Sequence, residues 1–228
     1  MTSNYKILSV GGSIVIPKTG FDIEFLKKFR ELILARVKKG DKFILVVGGG
    51  ATCRQYQAAL KSVADVSNEE LDWLGIYTTW YNAEFVRLMF GKLAHHEVIK
   101  NPTKKVKTSK PIIIAGGWKP GCSTDNDAVL LAKAYGAKTV ANLSNIDFVY
   151  DKDPNKFSDA KKLEKISWAE FRKIVGDKWV AGANVPFDPA AAKLAQKLKL
   201  KVVFIKGTDL SAVRNVLENK EVKGTVIE

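Results

Sequence analysis

The chain has 228 residues and is 46% hydrophobic and 27% charged, the composition of a globular protein large enough to bury a sizeable core. Its formal net charge of +13 calls for a polyanionic partner, and nucleotides satisfy that requirement as well as nucleic acid does. No stretch approaches the roughly 18 apolar residues of a membrane span, and residues 1–13 lack the long apolar region of an export signal, so we expect a cytoplasmic protein with no membrane partner.

The first half of the chain predicts three strands that each run into glycines, with a helix after each turn. Glycines stand at Gly11-Gly12, at Gly48 to Gly50 and at Gly116-Gly117. A capping box at Ser67 and Glu70 predicts a further long helix towards Leu93. The strands are Tyr5 to Val10, Phe43 to Val47 and Pro111 to Ala115, and the helices are Asp22 to Lys39, Thr52 to Ala64 and Asp125 to Tyr135.

The second half predicts three more strands, at Lys138 to Asn142, Lys201 to Ile205 and Thr225 to Ile227. A second capping box at Ser167 and Glu170 and the Asp188-Pro189 pair mark two helix starts. Apolar runs without alternation, separated by amphipathic helices, are typical of a mostly parallel sheet that is buried on both faces. The fold class predicted is therefore α/β, a three-layer αβα sandwich.

The glycine turns indicate phosphate binding. Glycine lets a backbone approach a phosphate closely, and a helix that starts just after it presents free N–H groups. In open parallel sheets, ligands bind outside the carboxyl ends of the strands, where all three turns are expected. Each cluster taken singly is equally consistent with a tight strand-to-helix turn, so the prediction depends on all three lying side by side.

Several familiar sites are excluded. The first strand is not followed by GxGxxG, and Gly116 to Ser123 has nearly the Walker A spacing but carries Cys122 where the lysine belongs. Cys53 and Cys122 lack companions at metal-ligand spacing, so no disulfide framework, zinc site or other protein-held metal is predicted. Lys100 to Lys110 is strongly basic but has no interleaved aromatic residues, which favours a solvated surface and no nucleic-acid partner.

Six motifs together resemble the amino-acid-kinase superfamily and, within it, the archaeal-type uridylate kinases. They span nearly the whole chain in order: VGGS at Val10 to Ser13, VVGGG at Val46 to Gly50 with Arg54, LDWLGI at Leu71 to Ile76, GGWKPGCSTD at Gly116 to Asp125, SNIDFVYDKDP at Ser144 to Pro154, and FDPAAAKLA at Phe187 to Ala195.

The resemblance implies a cytoplasmic enzyme that transfers the γ-phosphoryl group of ATP to UMP in pyrimidine nucleotide synthesis. It implies Mg²⁺ bound with ATP and a homohexamer. It also implies a single domain over residues 1–228, with a UMP side at about residues 1–137 and an ATP side at about residues 138–228.

The resemblance also assigns site residues. It implies two catalytic residues, Asp125 and Arg54. Asp125 would be the carboxylate that orients the cationic groups of the site. The ATP site would comprise Gly12, Ser13, Gly50, Arg54, Ser144, Asn145, Tyr150 and Asp153. The UMP site would comprise Gly49, Asp72, Trp118, Lys119, Pro120, Gly121, Cys122, Ser123 and Thr124, with Asp72 on the ribose hydroxyls.

Plainer interpretations of four of these residues stay open. Asp72 is equally typical of a solvated first-turn helix residue. A helix cap is the alternative role for Asp125. A tyrosine such as Tyr150 is more often a core aromatic residue, and Asp153 with Pro154 is typical of an ordinary turn. Asp188 is interpreted as a helix cap and not as a catalytic group.

Three positions depart from the family pattern. Ser9 stands where many members carry a lysine that neutralises charge on the transferring phosphoryl group, Phe148 stands at a usual glycine beside the adenosine pocket, and Trp80 replaces an arginine. The lysines proposed to replace the missing charge are Lys6, Lys119, Lys152 and Lys193.

Three rival functions remain on sequence grounds. One is a superfamily sibling with another acceptor, such as acetylglutamate, carbamate, aspartate or isopentenyl phosphate. The second is a nucleotide-binding protein that has lost catalysis, suggested by Ser9 and Phe148. The third is a nucleic-acid-binding protein, suggested by charge alone.

Overall fold

A computed structural model of the chain describes residues 5–176 and 185–228, and its centre is one seven-stranded sheet. The strands of this sheet are β1 Tyr5–Val10, β2 Lys42–Val47, β3 Ile112–Ala115, β4 Thr139–Ser144, β7 Lys165–Ile166, β8 Lys201–Lys206 and β9 Thr225–Ile227, and a separate hairpin pairs β5 Val149–Tyr150 with β6 Lys162–Leu163. The strand order in the sheet is β3-β2-β1-β4-β8-β9-β7. The five strands from β3 to β8 run parallel, which confirms the mostly parallel sheet, whereas β9 and its parallel neighbour β7 run in the opposite direction.

Six of the eight described helices begin at a residue whose side chain caps the helix. Ser67 and Ser167 each form the predicted capping box, and the carboxylate of Asp188 accepts hydrogen bonds from the N–H groups of Ala190 and Ala191. The described helices are α1 Gly12–Val15, α2 Ile23–Lys38, α3 Gly50–Val63, α4 Asn68–Phe90, α5 Thr124–Tyr135, α6 Trp168–Val175, α7 Pro189–Lys197 and α8 Leu210–Leu217. Across the two described ranges, none of the helices is long and apolar enough to cross a lipid bilayer.

The sheet is buried on both faces, as a three-layer αβα sandwich requires. Neighbouring residues of β2, Ile44 and Leu45, are both fully buried but belong to opposite hydrophobic layers. One layer joins the sheet to α5, α6 and α7, and the other joins it to α2, α4 and α8. The predicted fold class is confirmed, and the carboxyl ends of the parallel strands form a single edge.

Some short elements were not predicted from the sequence. Helix α1 is a single turn made from a glycine turn, and β5, β6 and β7 have two residues each. Helix α8 has eight residues and is capped by Asp209, whose carboxylate accepts hydrogen bonds from the N–H groups of Ser211 and Ala212. Elements this short carry too little periodicity to be recognised from sequence alone.

Candidate active site

The glycine turns after β1 and β2 lie in direct backbone contact. A Cβ atom added to Gly12 would lie 2.0 Å from the nitrogen of Gly50 and 2.6 Å from the carbonyl carbon of Gly48, so only glycine fits at this position. Gly50 itself has φ +64°, which also favours glycine. Beside this contact, α3 starts at Gly50 without a side-chain cap. The two turns therefore form one backbone surface at the positive end of a 14-residue helix.

A pocket of about 600 Å³ opens at this surface. Its lining comes from the β1, β2, β3 and β4 ends and from α3, α4 and the segment before α7. The lining residues are Ser13, Lys18, Gly49, Gly50, Cys53, Arg54, Gln57, Asp72, Gly75, Ile76, Thr79, Gly117, Cys122, Ser123, Thr124, Asp125, Asn145, Val185 and Asp188. The pocket therefore joins two of the predicted phosphate turns to the segment from Trp118 to Thr124 that was predicted to bind UMP.

The acceptor loop, residues 116–123, is held over the pocket by carboxyl groups on two helices and at the start of a third. Three backbone N–H groups of the loop donate hydrogen bonds to these carboxyl groups. Trp118 donates to Asp127 on α5 (3.2 Å), Gly121 donates to Asp72 on α4 (2.9 Å), and Ser123 donates to Asp188 at the start of α7 (2.6 Å). Because the three acceptors lie on different helices, the loop conformation depends on how those helices pack together.

The base of the acceptor loop is fixed to α4 by two further hydrogen bonds. The hydroxyl of Thr79 accepts from the N–H of Gly117 at 2.7 Å, and the indole N–H of Trp80 donates to the carbonyl of Gly117 at 2.6 Å. Trp80, noted as a departure from the family pattern, therefore anchors the loop that covers the pocket.

Asp125 lies half-buried at the centre of the strand edge. Its Oδ1 accepts hydrogen bonds from the Ser9 hydroxyl on β1 and from the Asn142 amide on β4, both at 2.8 Å. Burial raises the pKa of Asp125 to about 6, although the hydrogen bond from Ser9 favours the ionised form. Ser123 caps α5 by accepting from the N–H of Asp125, so the interpretation of Asp125 as the helix cap is wrong.

Asp127 and Asp188 add two buried carboxyl groups beside Asp125. Burial, together with the charges of Asp188 and Asp125, raises the pKa of Asp127 to about 8, although the hydrogen bond from Trp118 lowers it. Within the described part of the chain, Oδ1 of Asp127 is buried without a hydrogen-bond partner. Negative charge is therefore concentrated here, and the site favours protons or cations.

The structure brings many of the predicted site residues together. The predicted residues that line the pocket are Ser13, Gly49, Gly50, Arg54, Asp72, Cys122, Ser123, Thr124, Asp125 and Asn145. Gly12 lies beside them, in backbone contact with Gly50. Trp118 to Gly121 belong to the acceptor loop, in which the Lys119 ammonium lies 4.5 Å from the Trp118 ring centroid. Ser144 is adjacent, with its hydroxyl 3.4 Å from the Asn145 side-chain oxygen.

Tyr150 and Asp153 are not among the described residues that line the pocket. Tyr150 pairs with Lys162 in the β5–β6 hairpin and its hydroxyl donates to Asp147. Asp153 accepts from the backbone and side chain of Asn155, as expected of an ordinary turn. Phe148 is buried and lines a separate hollow with Val203 and Val216, so it does not narrow this pocket.

Among the lining residues that sequence reasoning did not assign to the site are four with polar or charged side chains, Lys18, Gln57, Thr79 and Asp188. Asp188 caps α7 as predicted, but its second oxygen also holds the acceptor loop. Gln57 donates to the carbonyl of Leu71 and so joins α3 to α4. The capping pattern could have found Asp188, whereas Lys18 has no signal in the sequence beyond its nearness to the first glycine turn.

Comparison with known proteins agrees with this arrangement. The model of the amino acid kinase family matches residues 4–206. The chain therefore belongs to the amino acid kinase family. This amino acid kinase is 34% identical over 225 residues to the uridylate kinase of Pyrococcus abyssi, covering 97% of this chain and 98% of that one.

Two further relatives are similar to this chain over nearly its whole length. The uridylate kinase of Methanocaldococcus jannaschii is 33% identical over 228 residues, covering 97% of this chain and 98% of that one. The crystal structure of the uridylate kinase from Archaeoglobus fulgidus superposes with a TM-score of 0.80 at 29% identity, covering 97% of this chain and 99% of that one.

Proposed function

We propose that this chain is a uridylate kinase that transfers the γ-phosphoryl group of ATP to UMP. The observation that carries the proposal is the single pocket that joins the glycine surface of Gly12, Gly49 and Gly50 to the acceptor loop. A pocket of about 600 Å³ with a phosphate-binding backbone at one side and a closing loop at the other suits two phosphorylated ligands in contact. The names of the full-length relatives support the same reaction.

In this proposal, ATP lies towards Ser13, Gly50, Arg54 and Asn145, with its phosphates on the α3 N-terminus. Its adenosine part extends past Ser144 towards Tyr150 and Asp153, which requires the β5–β6 hairpin to approach the nucleotide. UMP lies under the acceptor loop, where Asp72 accepts a hydrogen bond from the N–H of Gly121 and also accepts the ribose hydroxyls.

The chemistry requires alignment and positive charge more than covalent participation by the protein. An oxygen of the UMP phosphate forms the new bond to the γ-phosphorus, and ADP leaves with the electrons of the broken bond. Arg54 lines the pocket and neutralises phosphate charge, while Asp125 fixes Ser9 and Asn142 across the strand edge. Because the UMP phosphate is already ionised near neutral pH, no separate general base is needed to remove a proton from the attacking oxygen.

The residues present fit Mg²⁺ that arrives with ATP. Among the described residues there is no group of three side chains able to hold a metal ion, so the phosphate oxygens would be the main ligands, with Asp125 or Asp188 in the same pocket. When bound, Mg²⁺ would neutralise charge on the β- and γ-phosphates.

The cellular part of the proposal follows from the family resemblance of the sequence. We place the reaction in pyrimidine nucleotide synthesis in the cytoplasm and the enzyme in a homohexamer. We also propose one domain over residues 1–228, with a UMP side at about residues 1–137 and an ATP side at about residues 138–228. Strands β1 and β4, one from each side, are neighbours in the sheet, which supports a single unit.

An ADP-release assay with Mg-ATP tests the function. Release with UMP, at rates well above those with CMP, dUMP, acetylglutamate, carbamate, aspartate and isopentenyl phosphate, is the expected outcome. Faster release with one of the small acids would assign the chain to a sibling activity. Binding of ATP and UMP in a calorimeter without ADP release would show a nucleotide-binding protein without catalysis.

A further inference from the structure

The charge of the proposed phosphoryl-transfer pocket is unbalanced before any nucleotide binds. Three carboxyl groups line it, those of Asp72, Asp125 and Asp188. Among the described lining residues, Lys18 and Arg54 carry the only positive side chains. Two anionic nucleotides must approach each other here, so each of these two cations has a large electrostatic effect on the barrier.

The strand beneath the transfer site supplies no cation. Ser9, near the end of β1, is buried and its hydroxyl is committed to Asp125. The four lysines suggested by sequence are not among the described pocket-lining residues. Lys6 forms an ion pair with Asp41 near the opposite end of β1, Lys152 pairs with Asp159 at 2.6 Å, Lys119 lies over Trp118, and Lys193 is exposed on α7.

Lys18 lies in a short connection whose backbone is fixed on both sides. Before it, the carbonyl of Ile16 accepts from the N–H of Ala51 in the first turn of α3 (3.1 Å), and the N–H of Ile16 donates to Gly12 (2.7 Å). After it, the N–H of Gly20 closes a turn onto the carbonyl of Pro17 (3.1 Å). These bonds hold the Lys18 backbone beside the glycine surface that is proposed to bind the ATP phosphates.

The Lys18 side chain is exposed, and no described carboxylate forms an ion pair with it. Its ammonium group is therefore available to a ligand. A lysine ammonium offers three donors on a flexible stem, which suits a phosphoryl group whose geometry changes during transfer.

We propose that Lys18 is a catalytic residue of this enzyme, whose ammonium group contacts the transferring phosphoryl group and replaces the cation that the first strand lacks. This inference rests on the proposed function. In the step, an oxygen of the UMP phosphate bonds to the γ-phosphorus, the bond from that phosphorus to the β–γ bridging oxygen breaks, and ADP leaves with the electron pair. Lys18 keeps its proton throughout and donates hydrogen bonds to the γ-phosphoryl oxygens.

The test compares Lys18→Met, Lys18→Arg and the control Lys61→Met in the full-length protein. Lys61 is an exposed lysine on α3 that does not line the pocket. Loss of a charge that acts mainly on the transition state should lower kcat at saturating Mg-ATP and UMP by about 100-fold or more in Lys18→Met. Lys18→Arg should recover at least about tenfold of that loss, and Lys61→Met should match wild type.

Calorimetry and thermal unfolding separate catalysis from binding and folding. We expect UMP to bind Lys18→Met within about threefold of wild type and the unfolding temperatures to coincide, since an exposed side chain makes little contribution to stability. A kcat of Lys18→Met within about threefold of wild type would overturn the proposal while leaving the kinase function intact. Wild-type protein that releases no ADP with UMP would overturn the proposed function and the role of Lys18 together.

Discussion

Replacing Asp127 with asparagine should stabilise the protein at neutral pH. The carboxyl group is 1% exposed, accepts the N–H of Trp118 through one oxygen and leaves the other without a partner in the described part of the chain. The charges that face it come from Asp125 on its own helix, Asp188 at the start of α7 and Lys119 in the acceptor loop. Asparagine keeps an acceptor for Trp118 but cannot ionise.

The size of the effect follows from the pKa of Asp127. Burial raises this pKa from 3.8 to about 8 in the folded protein, so between those values the folded chain holds a proton that the unfolded chain releases. Wild-type stability is therefore unaffected below pH 3.8 and falls as pH rises, by about 1.4 kcal/mol per pH unit, until the folded group ionises near pH 8. From about pH 5 to about pH 7 the loss is about 3 kcal/mol.

Thermal unfolding of the ligand-free protein measures this difference. For a chain of this length about 3 kcal/mol corresponds to about 6–12 °C, so the advantage of Asp127→Asn over wild type should grow by that amount between about pH 5 and about pH 7. Asp65→Asn, at an exposed position outside the pocket, is the matched control and should follow the wild-type curve. Parallel curves for wild type and Asp127→Asn would refute the assignment of a buried, protonated carboxyl group at this position.

Three further predictions concern the glycine contact, the ribose carboxylate and the basic loop. Gly12→Ala should lower the free energy of unfolding, measured by chemical denaturation, by at least about 1–3 kcal/mol, because the added Cβ would overlap fixed backbone. Gly75→Ala inside α4 is the control and should be close to neutral, because its Cβ meets only the ends of side chains, at 3.1 Å or more. Asp72→Ala should weaken UMP binding by one to two decades in calorimetry with ATP affinity nearly unchanged, from the loss of about 1.5–3 kcal/mol of charge-assisted hydrogen bonding; an equal loss for both ligands would contradict the ribose role. Replacing the exposed lysines Lys104, Lys105 and Lys107 with glutamine should lower kcat/KM for UMP modestly and preserve kcat, and the difference should vanish at high salt. A collapse of kcat would instead place this segment at the active site.

Local patterns in the sequence determined the regular elements. Apolar runs such as Phe43 to Val47 were long enough to define buried strands, and the capping boxes at Ser67 and Ser167 defined helix starts to the residue. These signals are local because side-chain periodicity and the first turn of a helix involve residues close in the chain. The glycine clusters likewise marked the strand ends where the pocket lies, since the conformational role of a glycine depends on the turn itself.

The tertiary structure alone decided which side chains meet at that edge. Asp127 had the appearance of an ordinary acidic residue in the first turn of α5, and only the approach of Trp118 and Asp188 shows it as a buried carboxyl group of the site. Lys18 lies outside every sequence motif. It lines the pocket because the N–H of Ala51, after β2, donates a hydrogen bond to the carbonyl of Ile16, after β1. Charge, burial and alignment in a pocket depend on contacts between residues far apart in the chain, which a local pattern does not encode.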